Sequence, residues 1–171
     1  MVKRVLLVAL GLVLALMFVA CDKKVPLETQ GASTGSEAGA GAEAGAGAAS
    51  YPVVLYLPND QADGFITKAA MTDGTAEDIV ALLVEKGVLP AGCAVLSFEV
   101  AGAARCNVDM NAAFGQAVST TGTTGEYLLV GCLVNTLLTY YELDELVLTV
   151  EGETLETGHA VYDYPLHFYE N

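Results

Sequence analysis

From residue 127 to residue 141 the chain runs for fifteen residues without a charge. This stretch does most to limit what the chain can become. A helix that is apolar nearly all round must be buried on more than one side. The stretch therefore reads as the central helix of a domain, roughly 25 Å long at about 1.5 Å per residue. Ahead of it, Thr123-Thr124-Gly125-Glu126 has the S/T-x-x-E form of a capping box. Asn135 and Thr136 interrupt the apolar run, and inside such a helix each must bond to backbone or to a neighbouring strand. Tyr140 and Tyr141 close it, either as core rings or as anchors for a partner.

The flanking segments supply what such a helix packs against. Residues 52–57 (PVVLYL) are β-branched and aromatic and predict a strand. A turn cluster at 58–64 leads to a second strand at 65–71. Residues 76–86 predict an amphipathic helix, capped by Thr75, with Glu77 and Asp78 at its positive end and Gly87 just past its end. Residues 94–100 and 106–110 alternate and predict a hairpin. In the first strand Val95, Ser97 and Glu99 share a face, opposite Leu96, Phe98 and Val100. In the second, Asn107 and Asp109 oppose Val108 and Met110. Residues 146–150 (LVLTV) predict a further strand, and residues 161–168, with Pro165, offer a last edge strand.

The N-terminal third does not belong to that core. Lys3 and Arg4 precede sixteen residues, 5–20, that are all apolar or glycine, and Ala20 stands before Cys21. Residues 1–20 resemble a bacterial lipoprotein signal peptide, in which the cysteine after the cut is acylated and becomes the new N-terminus. A permanent membrane-spanning anchor is the alternative, and it wants about 20 residues. The resemblance makes Cys21 the lipidation site and the chain an extracytoplasmic protein anchored to the cell membrane. Residues 22–50 then form a tether rich in Gly, Ala, Ser and Glu, with a coil reach of about 30 Å and a stretched reach of roughly 100 Å. Residues 51–171 make one domain of ordinary size. It holds seventeen acids against Lys68, Lys86 and Arg105, a formal charge of −14. Such a surface repels nucleic acid and anionic lipid, which removes nucleic acid as a partner.

Chemistry-bearing residues are few. Cys93, Cys106 and Cys132 are odd in number and sit in no metal-ligand spacing. They read as small buried hydrophobes, with a Cys93–Cys106 disulfide as the alternative. His159 and His167 lie in the C-terminal segment, away from any catalytic motif. Asn59, Asp60 and Asp63 fall in the first hairpin loop without the spacing of a calcium loop, and so read as a solvated turn. The expectation is no catalytic residue, no cofactor and no metal.

Two motifs carry a family resemblance. One is Cys106-Asn107-Val108-Asp109-Met110-Asn111. The other is Val134-Asn135-Thr136-Leu137-Leu138 running into residues 146–153 (LVLTVEGE). Together with 54–60 (VLYLPND) they resemble the GerMN domain, the sporulation and spore germination domain of lipoproteins, over residues 52–168. The resemblance implies an α+β fold of order β-β-α-β-β-α-β. It would be a sandwich of a small mixed sheet with two helices packed on one face, like the ring-building motifs of protein assembly. It implies no catalysis, a role in sporulation, germination or the cell envelope, and protein partners there. A small-ligand or wall-fragment binder is the other reading.

Overall fold

The computed structural model describes residues 50–171, so the leader, Cys21 and residues 22–49 of the tether lie outside the described residues. The described elements, in chain order, are β1 (Tyr51–Pro58), β2 (Phe65–Thr72), α1 (Ala76–Glu85), β3 (Val95–Ala101) and β4 (Arg105–Met110). They continue with α2 (Ala112–Thr120), α3 (Thr123–Tyr141), β5 (Glu145–Val150) and the two-residue β6 (Glu153–Thr154). The α+β class and the expected order stand, with α2 and β6 added.

The strands form two sheets. β1 and β2 make an antiparallel hairpin in unbroken register from Tyr51↔Thr72 to Pro58↔Phe65. The other four run in the order β3-β4-β5-β6. Within that sheet β4 and β5 are parallel, which a chain can achieve only through a crossover, here α2 and α3. The mixed sheet carries its apolar side chains on one face: Cys106, Val108 and Met110 from β4, Leu146 and Leu148 from β5, all buried. Asn107 on the opposite face is exposed.

The alternation expected of β3 breaks at Leu96. A bulge between Val95 and Ser97 sets two residues against one, which turns Val95 and Phe98 to the same side. Both are packed against the core, while Leu96 and Val100 are exposed. The strand expected at 161–168 is reduced to single bridges, Leu146↔Leu166 and Glu156↔Val161. Pro165 has no N–H to continue a ladder.

α1 is built as its sequence requires. Thr75 Oγ1 accepts from the Asp78 N–H. Beyond its end Gly87 sits at φ +73°, with Gly87 N–H donating to Val84 O and Val88 N–H to Leu83 O. That pair of bonds is a Schellman motif, for which glycine at C′ carries no Cβ penalty.

α2 escapes a sequence reading because its residues, AAFGQAVST, include several weak helix formers. It is held from outside. Asn111 Oδ1 accepts from the N–H groups of Phe114 and Ala94, and Asn111 Nδ2 donates to Gly92 O. Glu151 Oε1 accepts from Ala112 N–H at 2.7 Å. Gly115 lets α2 approach β5, since a Cβ there would stand 2.9 Å from Val150 Cγ1.

α3 is the hub. Its residues from Val130 to Leu138 are buried without interruption. Thr136 Oγ1 accepts from Tyr56 N–H of β1 at 3.0 Å. Asn135 spans the backbone of Tyr169: Nδ2 donates to its carbonyl at 2.9 Å, and Oδ1 accepts from its N–H at 2.7 Å. Both polar interruptions are thus answered as the sequence demanded. The capping box is not formed. Gly122 is the N-cap and no side chain caps the helix. Glu126 has turned inward instead, because better partners wait there.

Candidate functional site

Glu126 is 3 % exposed. Its Oε1 accepts from Thr157 Oγ1 and from Tyr162 Oη, each at 2.8 Å. Oε2 is buried with no hydrogen-bond partner. An unanswered buried polar oxygen costs about 1–3 kcal/mol, more when it is charged. The first turn of α3 offsets part of that, since negative charge is favoured near a helix N-terminus. Burial and the neighbouring carboxylate both push the Tyr162 hydroxyl well above the ordinary tyrosine range, so it remains a donor.

Around this carboxylate the C-terminal segment folds over the start of α3. The segment is fixed by Asn135, by the paired backbone bonds of Leu146 and Leu166, and by Asn171 Oδ1, which accepts from Phe65 N–H at 2.5 Å. Tyr127 Oη donates to Glu170 O at 2.5 Å. Gly131 makes the close approach possible, for a Cβ there would meet Phe65 Cζ at 2.5 Å and Tyr169 Cδ1 at 3.2 Å. The result is an aromatic surface. Tyr127 lies 5.6 Å from Phe65 and 5.2 Å from Tyr169, ring centre to ring centre. Tyr164 is 53 % exposed and Phe168 47 %.

Two hollows open on it. One is a groove of about 650 Å³ lined by Tyr127, Tyr164, Pro165, Leu166, Phe168 and Tyr169, with His167 and Glu170 beside them. The other, about 230 Å³, shares Tyr127, Tyr164 and Tyr169 with the groove and adds Glu126, Tyr162 and His159 among its walls. Aromatic rings with a polar edge are the side chains that most often anchor a partner.

Other sequence candidates do not assemble into a site. Cys21 lies outside the described residues. His159 and His167 are exposed, and His167 Nδ1 lies 3.1 Å from Asp144 O. The Cys93–Cys106 alternative is overturned, for Cys93, Cys106 and Cys132 are unpaired and buried. Burial pushes the Cys106 thiol up to about 11 and that of Cys132 to about 12. In the first hairpin loop Asn59 Nδ2 donates to Asp63 Oδ1 at 2.8 Å, and Asn59 Oδ1 accepts from Asp63 N–H. That loop is a turn that satisfies itself. Among the described residues no three His, Cys, Asp or Glu side chains gather as a metal site. Tyr141 is a core ring, stacked on Phe98 at 4.5 Å. The aromatic surface itself was missed. Its signal was Tyr162, Tyr164, Phe168 and Tyr169 within eight residues, the first three of which the strand reading at 161–168 absorbed.

The fold has solved relatives. The tandem GerMN domains of the sporulation protein GerM from Bacillus subtilis superpose with a TM-score of 0.56 at 17 % identity, covering 70 % of this chain and 46 % of that one. The first GerMN domain of the same protein gives 0.54 at 18 % identity, covering 68 % and 97 %. This chain thus spans about half the length of the tandem structure. No curated protein sequence matches it. The family model described as sporulation and spore germination matches residues 54–156, from within β1 past the end of β6, and the chain belongs to that family.

Proposed function

We propose that this chain is an extracytoplasmic lipoprotein whose GerMN domain acts by binding, without catalysis, in sporulation, germination or cell-envelope assembly. Acylation of Cys21 holds it to the membrane, and residues 22–50 let the domain stand off on the order of 30 Å. Two or more acyl chains suffice for stable anchoring. The charge of −14 keeps the domain away from nucleic acid and anionic headgroups. Its partner is an envelope protein.

The observation that carries this reading is the exposed aromatic groove beside α3, with Tyr164 and Phe168 at its rim. A photo-crosslinking phenylalanine analogue at position 164, in the full chain in cells, tests it. The expected result is a covalent adduct with an envelope protein that is lost when Phe168→Ser is added. Absence of any protein adduct overturns the reading. The anchor has its own test. Blocking the lipoprotein signal peptidase must leave a heavier precursor, and an unchanged mass removes Cys21 as the processing site. Binding of a small ligand or wall fragment is the second reading, favoured by the hollow around Glu126.

A further inference from the structure

We infer that the free edge of β2 is a docking surface for a second copy of this chain, joined strand to strand and antiparallel about Ala69. The inference goes beyond the groove reading, uses another surface, and stands or falls without it.

Among the described residues the other sheet edges are guarded. α3 runs along β1, where Thr136 Oγ1 takes the Tyr56 N–H. β6 is two residues long. β3 carries a bulge and an exposed Glu99. Cover, short length, bulges and charges are the means by which proteins keep an edge from pairing. β2 has eight residues, with no proline and no bulge. Ile66 and Met71 on it are 51 % and 55 % exposed. Its one guard is Lys68, and that lysine sets a register instead.

The direction of the backbone groups follows from Tyr56. Its N–H points to α3, so Tyr56↔Thr67 is a pair that exchanges no hydrogen bonds, and Thr67 turns its own N–H and C=O outward. Every second residue does the same, which gives Phe65, Thr67, Ala69 and Met71. Pro52 and Pro58, which have no N–H, fall opposite Met71 and Phe65 at such positions. Phe65 is already answered, for Asn171 Oδ1 accepts from its N–H and Asn171 Nδ2 donates to its carbonyl. Among the described residues nothing bonds to the outward N–H or C=O of Thr67, Ala69 or Met71, and all three residues are exposed.

Charge and register select a second copy. β1 and β2 carry one charged residue between them, Lys68, in a domain of charge −14. Two copies therefore meet there without opposing carboxylates. A pairing centred on Thr67 needs Phe65, which Asn171 occupies. One centred on Lys68 sets it against the partner's Lys68, and like charges directly opposite are destabilising. Centres beyond Ala69 leave Thr67 unpaired. Centred on Ala69, all three open residues are used: Ala69 meets the partner's Ala69, and Thr67 meets the partner's Met71. Lys68 then stands opposite the partner's Ala70. Ala70 shares a face with Thr72, which lines a hollow of about 240 Å³ whose walls include Asp73 and Asp78. The cation of each copy thus comes beside acids of the other.

The full chain provides the test. With Ala69→Cys in cells, a mild thiol oxidant should give a disulfide-linked dimer, because Cα atoms in such a pair lie about 5.5 Å apart. Thr67→Cys is the control. It is offset from the partner's Thr67 along the strand by more than about 13 Å. That variant and the wild type should give at least about tenfold less dimer. In detergent micelles the wild-type chain should sediment as a monomer–dimer equilibrium. Ala69→Pro removes an N–H that β1 does not use, so the hairpin stays paired while the dimer weakens by about tenfold or more. Lys68→Glu turns a complementary charge into a like one and should weaken the dimer severalfold. The inference is overturned if Ala69→Cys gives no more dimer than Thr67→Cys, if its adduct is with another protein, or if Ala69→Pro sediments as the wild type does. Should Ala69→Pro fail to fold, the crosslink and Lys68→Glu decide.

Discussion

At its C-terminal end α3 closes on a stack of rings. Tyr141 lies 4.5 Å from Phe98 and 4.9 Å from Tyr140, and its hydroxyl donates to Gly74 O. At its N-terminal end Tyr127 meets Phe65 and Tyr169 at similar distances. Yet there the rings surround a hollow, and a buried carboxylate oxygen is left without a donor. The side chains at the two ends are of the same kind. What differs is the element that covers them. The closed end meets a strand, β3, whose ladder with β4 runs unbroken from Ser97 to Ala101 after one bulge and holds Phe98 against Tyr141. The open end is covered by a segment with single bridges only, which cannot fill space as evenly as a strand that repeats its pitch. A segment like this is where a protein can leave a cavity and a polar group at little risk to its core.

If the open end depends on the tail, cutting the tail's main fastening should have the largest effect. Asn135→Ala removes both bonds to Tyr169 and strands a buried N–H and carbonyl. The expected loss is about 2–4 kcal/mol in urea unfolding, and faster hydrogen exchange of the Tyr169 amide than of amides in β4. Equal exchange at both would break the comparison, because the tail would then be no looser than the sheet. Tyr162→Phe comes next. It withdraws one of the two donors to Glu126 Oε1 and should cost about 1.5–3 kcal/mol, the range for a hydrogen bond to a charged group. Gly131→Ala should cost less, about 1–2 kcal/mol. Overpacking against Phe65 and Tyr169 is worth about 1–3 kcal/mol, and the helix preference of Ala over Gly returns up to about 1. A neutral or stabilising Gly131→Ala would mean that the tail yields freely.

The closed end was legible in the sequence and the open end was not, for a physical reason. Regular elements announce themselves by period. The uncharged run before Tyr141, the alternation of Cys106 to Met110 and the Thr75 cap each fixed a piece of the core, and even the duties of Asn135 and Thr136 could be stated before their partners were known. α2 was invisible because its stability comes from Asn111, Glu151 and close contact with Val150, all tertiary. Glu126 misled because a capping box is a local pattern, and two hydroxyls from residues 157 and 162 outbid the local partner. The tail carries no period at all, so Tyr162, Tyr164 and Phe168 read as part of an edge strand when they are walls.

The smallest effect belongs to the closed end, and pH gives it a signature. Tyr141→Phe keeps the stack on Phe98 and loses one hydroxyl bond of 3.3 Å to Gly74 O, which is worth about 0.5–1 kcal/mol at neutral pH. Burial, reinforced by the neighbouring Tyr140 hydroxyl and by Glu77, pushes the Tyr141 hydroxyl from 10.0 up to about 12. Between those values the unfolded chain has given up a proton that the folded chain still holds. The folded state then binds more protons, so stability is intact below pH 10 and falls as pH rises toward about 12. Tyr169 at the open end is raised to about 12 by burial as well, so the wild type loses stability at both ends of α3. Tyr141→Phe removes the closed end's share. Urea midpoints should therefore favour the wild type near neutral pH and converge with, or fall below, those of the variant at about pH 11. Parallel decline of the two proteins would show that the ring stacked on Phe98 is no more withdrawn from water in the folded state than in the unfolded one, and the distinction between a closed and an open end of α3 would fail.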